Sequence, residues 1–107
     1  MINSTEILRG HLEGCILSII SKEECYGYII LEKLHNYGFS HLQESTVYPI
    51  LKRLEKRGLF NISRKKSTIG PPRKYYTLNE KGKEELVNFI RIWKSTQSII
   101  NLIIKEV

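Results

Sequence analysis

The stretch from Gln43 to Leu78, QESTVYPILKRLEKRGLFNISRKKSTIGPPRKYYTL, decides how the chain is read. Val47, Ile50, Leu51 and Leu54 recur at helical spacing and Gly58 supplies a stop, so a short helix is predicted from about Ser45 to Arg57. Leu59 to Lys65 and Arg73 to Leu78 follow as two runs of β-type residues. Between them lies KSTIGPP, whose glycine and prolines continue neither a helix nor a ladder, so the pair predicts a hairpin wing. The same stretch carries nine Lys/Arg against two acids, Glu44 and Glu55, a surplus of +7, while the remainder carries eight basic and nine acidic residues. The whole formal charge of +6 is thus concentrated in one third of the chain. Such concentration is the footprint of a surface that meets a polyanion.

Turning 100° per residue from Val47 gathers Val47, Ile50, Leu51 and Leu54 on one side of the helix and points Ser45, Pro49, Lys52 and Lys56 the opposite way. Thr46, Tyr48 and Arg57 fall on the flanks. A helix of this width fits the DNA major groove, and an adjoining ribbon can grip phosphates beside it. Ser45, Thr46, Tyr48, Pro49 and Lys52 are therefore expected to discriminate bases. Lys56, Arg57, Lys65, Lys66, Arg73 and Lys74 are expected to meet the backbone. A charged helix face alone more often means solvation; the basic wing directly behind it favours DNA. Pro49 lacks a backbone N–H, which near the first turn forfeits at most one helical bond.

Upstream, apolar spacing predicts a helix from Thr5 to about Ser21, capped by Ser4 or Thr5, and a second from Tyr26 to Tyr37, ended by Gly38. Downstream, Asn79 caps a last helix that can run to the C-terminus, roughly 40 Å at about 1.5 Å per residue. A globule built from the preceding residues is only about 30 Å across, so the distal half of this helix has nothing of its own chain to pack on. Yet Leu86, Ile90, Trp93, Gln97, Ile100, Ile104 and Val107 repeat with coiled-coil spacing, and Phe89, Ile92, Thr96, Ile99 and Ile103 form a second row. A two-fold dimer is expected, through Leu86, Phe89, Ile90, Trp93, Ile100 and Ile104 above all. The predicted fold is mainly α with a small β-hairpin (α+β): a winged helix-turn-helix DNA-binding domain over residues 1–78 and a dimerisation helix over residues 79–107.

Four blocks, LRGHLE (Leu8–Glu13), YGYIILEKL (Tyr26–Leu34), STVYPILKRLEKRGL (Ser45–Leu59) and GPPRKYYTLNEKGKEEL (Gly70–Leu86), resemble segments of the PadR-type transcriptional regulators, of the subfamily with one short C-terminal helix. The resemblance spans almost the entire chain. It implies a winged helix-turn-helix homodimer that binds near-palindromic operators and represses transcription, often until a small aromatic molecule releases it. Ile29 departs from the acid common after the Gly-Tyr pair, and Pro71 stands where many members have a further arginine. Trp93 resembles a tryptophan that lines a pore between subunits in some drug-responsive members. Two roles fit it, ligand stacking and plain filling of a dimer core.

Other functions find less support. No nucleophile elbow, phosphate loop, HExxH motif or pair of acids in a suitable context is present, so no catalysis is expected. No cofactor is expected either. His11 and Cys15 lie four apart on one helix, but no further ligand is spaced to complete a metal site. Cys15 and Cys25 read as reduced and buried, and Glu23 and Glu24 oppose a reactive Cys25 thiolate. The apolar runs are too short for a bilayer and no signal peptide is evident, so the protein is expected in the cytoplasm. Tyr75 and Tyr76 beside Arg73 and Lys74 can suggest RNA stacking, but alternation along a strand puts one tyrosine under the wing and the other outside. A non-specific architectural DNA binder and a winged-helix protein-interaction module remain as alternatives.

Overall fold

A computed structural model describes Leu8 and residues 10–105. Its elements are α1 (Leu12–Lys22), β1 (Cys25–Tyr26), α2 (Gly27–Tyr37), α3 (Glu44–Lys56), β2 (Phe60–Lys65), β3 (Arg73–Leu78) and α4 (Glu80–Ile104). The expected cap at Ser4 or Thr5 lies outside the described residues. Where one unbroken first helix is expected, Gly10 and His11 form a turn, with the His11 N–H donating to the Leu8 carbonyl at 2.7 Å before α1 proper begins. Glycine weakens a helix interior by about 1 kcal/mol relative to alanine. His11 is carried toward α4, where its ring meets Phe89 and Trp93 edge to face.

Leu12, Ile16, Leu17 and Ile20 of α1, Ile30 and Leu34 of α2 and Val47 and Leu54 of α3 are the fully buried centre, joined by Leu59 and Cys25. Each such aliphatic side chain contributes about 1.5–3 kcal/mol through removal from water. Among the described residues no polar or charged side chain is buried. The four α3 residues expected in the core, Val47, Ile50, Leu51 and Leu54, are all there.

The wing has a strand more than expected. The sheet order is β1-β3-β2, all antiparallel, with Cys25 opposite Tyr76 and Tyr26 opposite Tyr75. Two residues at the exit of α1 therefore close one edge of the hairpin, and Tyr26 belongs to a strand rather than to the second helix. Their pairing lets Cys25 drop into the core beneath the middle strand. Of the two cysteines only Cys25 is buried; Cys15 is half-buried.

Two junctions hold α3 in place. Ahead of it, α2 ends at Gly38 with φ 129° and the Phe39 N–H reaches back to the Leu34 carbonyl at 3.0 Å. His35 Nε2 lies 2.6 Å from the Leu42 carbonyl, so that nitrogen carries the donated proton and ties the turn to α2. Behind it, Gly58 takes φ 74°, and Asn79 staples the chain: its amide donates to the Gly58 carbonyl at 2.8 Å while its side-chain oxygen accepts the Gly82 N–H at 2.9 Å. Asn79 is thus both the expected N-cap of α4 and a clasp on the end of α3.

The long helix leaves the body. The molecule measures 55 × 30 × 21 Å, and in α4 only Gly82 is buried, with Leu86 and Phe89 half-buried. Ile92, Ile99, Ile100, Leu102, Ile103 and Ile104 are exposed; Val107 lies outside the described residues. Among the described residues no helix is long and apolar enough to cross a membrane.

Gly82 is where α4 meets the start of the wing, and a methyl there would stand 2.3 Å from the Leu59 carbonyl oxygen, itself held by the Asn79 N–H at 3.1 Å. Gly82→Ala is expected to cost about 1–3 kcal/mol from overpacking against a backbone atom. A lowered urea midpoint at unchanged m value would register it; an unchanged midpoint would show that the junction yields.

Candidate nucleic-acid interface

Between α3 and the wing lies an open cleft of about 850 Å³. One wall is α3, through Tyr48, Leu51, Lys52, Glu55 and Lys56; the other is β3, through Arg73, Lys74 and Tyr76; Tyr26 of β1 with Gly27 and Tyr28 at the start of α2 closes an end. The amphipathicity of α3 dictates this arrangement. Its buried face fixes the helix against α1 and α2, which leaves the Lys52 and Lys56 side facing out beside the sheet.

Of the expected DNA-contacting residues, Tyr48, Lys52, Lys56, Arg73 and Lys74 come together at this cleft. Ser45 and Pro49 are exposed toward the N-terminal end of α3, and Thr46 is half-buried. Lys65 and Arg73 sit opposite each other on the strand face that carries Tyr75, and Arg73 also reaches the cleft. There, cations and aromatic rings alternate: Arg73 lies 4.5 Å from the Tyr26 ring centre, Tyr26 lies 5.2 Å from Tyr75, and Lys65 lies 4.7 Å from Tyr75. Such contacts brace the wing through all three strands. Tyr76, as expected for one of the two tyrosines, is buried on the inner face. Lys66 is exposed just past β2.

Arg57 faces elsewhere. Its guanidinium pairs with Glu85 of α4 at 3.0 Å and with Glu13 of α1 at 3.5 Å, and Arg53 joins Glu13 at 2.9 Å. Lys65 is paired with Glu24, and Lys74 with Glu55. Among the described residues, Lys52, Lys56, Arg64, Lys66 and Arg73 are in no ion pair. Sequence reasoning passed over Arg64, Tyr26 and Tyr28. Arg64 pairs with Lys74 across the ladder and so shares the face that looks toward α3; alternation along the strand was the signal that could have found it. Tyr28 was concealed by the helical pattern around it.

Burial first, then the negative charge of Glu44 and, last, the neighbouring Tyr28 phenol raise the Tyr48 hydroxyl above its ordinary pKa. Burial, followed by the charge of Glu55 and its hydrogen bond, raises Tyr76, against a smaller opposing effect of Arg64. Both phenols stay protonated at neutral pH and keep a proton to donate. Among the described residues no group of three His, Cys, Asp or Glu side chains is placed to hold a metal ion.

A helix-turn-helix (α2 and α3) followed by a three-stranded basic wing defines a winged helix-turn-helix protein of the transcription-regulator class. The sequence profile of the transcriptional regulator PadR-like family matches residues 16–88, so the chain belongs to that family. It is similar to a Streptococcus transcriptional regulator of known crystal structure, at 35% identity and a TM-score of 0.82 over 94% of this chain and 98% of that one. A PadR-like transcriptional regulator from Bacillus cereus strain ATCC 14579 is 42% identical, with a TM-score of 0.81 over 92% and 96% of the two chains. Bacillus subtilis PadR, solved in complex with operator DNA, is 29% identical with a TM-score of 0.67, over 75% of this chain and 46% of that one. Regulation of transcription, rather than catalysis, is the family's business.

Burial, with a smaller effect of Glu24, raises the Cys25 thiol pKa, and burial alone raises that of Cys15. Native protein at neutral pH is therefore expected to leave Cys25 unalkylated by iodoacetamide over times that label it fully in guanidinium. Equal labelling in both conditions, read by peptide mass, would contradict a closed core at β1.

Proposed function

We propose that the chain is a homodimeric repressor that binds a near-palindromic DNA operator in the cytoplasm. The observation that carries this reading is the convergence of Lys52, Lys56 and Arg73, in no ion pair among the described residues, on the cleft between α3 and the wing, with Arg64 on the same strand face as Lys74. Residues 1–78 serve as the DNA-binding unit and residues 79–107 as the dimerisation helix. Ser45, Thr46, Tyr48, Pro49 and Lys52 face the bases, while Lys56, Lys65, Lys66 and Arg73 lie along the backbone. Arg57, clasped by Glu13 and Glu85, enters this reading as a strut behind the helix. The complex of Bacillus subtilis PadR with operator DNA supports DNA as the partner.

The dimer is supported by the row Ile90, Trp93, Ile100 and Ile104, which the described residues leave exposed. Two-fold symmetry places the two α3 helices one DNA turn apart, about 34 Å, or a multiple of it, and the operator repeats that symmetry. A planar aromatic effector fits the same reading. Trp93 is 37% exposed, and the His11 ring stands 4.9 Å from it. Such a ligand weakens operator binding if it prefers a subunit arrangement with the wrong spacing between α3 helices.

Electrophoretic mobility shifts on the chain's own upstream region test the central claim, with scrambled duplex as control. Lys52→Ala is expected to lower binding to the specific fragment more than to scrambled DNA. Replacing Lys65 and Lys66 together by alanine is expected to weaken both and to flatten the log–log salt dependence by about 1–2. Equal affinity of the wild type for the two duplexes would instead indicate an architectural binder. For the effector, planar aromatics are expected to quench Trp93 fluorescence and release the fragment over the same concentrations. Quenching without release would leave a pocket and no switch.

A further inference from the structure

Among the described residues Glu55 is the only acid lining the cleft, and it lies on α3 between Lys52 and Lys56. A carboxylate facing a polyanion opposes binding, so its place there calls for a physical reason. Both of its oxygens are 2.9 Å from the Lys74 ammonium, and the side chains of the pair are only 29% and 34% exposed. The exposed Lys65–Glu24 pair on the outer face differs, because phosphate and water can reach it freely. Tyr76 lines the same cleft, feels the charge of Glu55, and is locked in the middle strand opposite Ile62 and Cys25. One carboxylate thus joins α3 to β3 across the floor of the cleft.

We infer that Glu55 is a specificity-determining positioning residue, which withholds Lys74 from DNA and fixes the distance between α3 and the wing. This rests on the DNA-binding function proposed above and assigns Lys74 a role there other than contact with phosphate. A lysine ammonium on its flexible stem follows any phosphate within reach and rewards every sequence alike. Held by two carboxylate oxygens, it rewards none. The wing is then set at one distance from α3, and only a duplex whose backbone matches that gap engages helix and wing together. Glu55 lowers affinity for DNA in general and widens the margin between a fitting duplex and a random one.

The test uses the full chain and two labelled duplexes: one that the wild-type protein selects from a random pool, and a scrambled version. Fluorescence anisotropy across a salt series gives slope and affinity for each. Glu55→Gln is expected to release Lys74, steepen the slope on scrambled DNA by about 1, and reduce the ratio of selected to scrambled affinity. Glu55→Gln combined with Lys74→Gln conserves net charge and is expected to return the wild-type slope with the ratio still reduced. An unchanged slope and ratio in folded Glu55→Gln, judged by circular dichroism, would overturn the inference. If Glu55→Gln does not fold, the double variant decides: the wild-type slope supports withheld Lys74, and a slope flatter by about 1 makes Lys74 a phosphate contact. Wild-type protein that selects no duplex and shows no salt-dependent binding would reject the DNA-binding function itself, whatever the variants do.

Discussion

Val47, Ile50, Leu51 and Leu54 anchor α3 along one side, and everything that faces outward from that helix takes its direction from them. Rotation of α3 by a single residue position would bury Lys52 or expose Leu51, and either costs more than a small domain can spare. The helix is therefore fixed about its axis by the hydrophobic effect, without help from the polar groups it displays. His35 at one end and Asn79 at the other then fix it along its axis.

With the helix fixed, charge repulsion becomes the next constraint. Nine cations within one third of the chain repel one another, and the fold answers with carboxylates chosen by direction. Glu13 and Glu85 take Arg53 and Arg57 on the side away from the cleft, and Glu24 takes Lys65 at the outer face. Of the nine, Lys52, Lys56, Arg64, Lys66 and Arg73 are in no ion pair among the described residues, and Lys52, Lys56 and Arg73 line the cleft; Lys74, tied to Glu55 inside the cleft, is the exception. Neutralisation behind the surface and excess charge in front of it focus the field where a duplex would lie. The ion pairs are partly exposed and contribute little stability individually; their consequence is direction.

How much of this was legible in the sequence follows from the range of the interactions. The two faces of α3, the stop at Gly58, the cap at Asn79 and the overhang of α4 are local patterns with periods of a few residues, and the fold agrees with each. The strand β1 was hidden because it is two residues long and its partners, Tyr75 and Tyr76, lie half the chain away. The break at Gly10 was hidden because the apolar spacing runs straight through it. The sign of each charge was plain, but not its partner. Arg57 and Lys56 look alike in sequence, yet one residue of helix turns Arg57 toward Glu13 and Glu85 while Lys56 lines the cleft.

That difference bears on how the two ends of the molecule communicate. Arg57 touches α1 and α4 at once, and Gly14 of α1 lies so close to Phe89 that a methyl there would stand 2.3 Å from its ring. So α4 cannot shift near its base without moving α1, the Arg57 bridge, or both. Beyond Trp93 the described residues leave the apolar side chains of α4 exposed, so a force applied at Ile100 acts through a long arm on that close-packed base. Under the proposed dimer, the partner subunit applies such a force to both long helices. A small change in how they cross becomes a larger displacement between the two α3 helices, since close-packed interfaces tend to switch between discrete arrangements rather than deform smoothly. The route runs through packed side chains and one bridging arginine, and it needs no rearrangement of the core around α3.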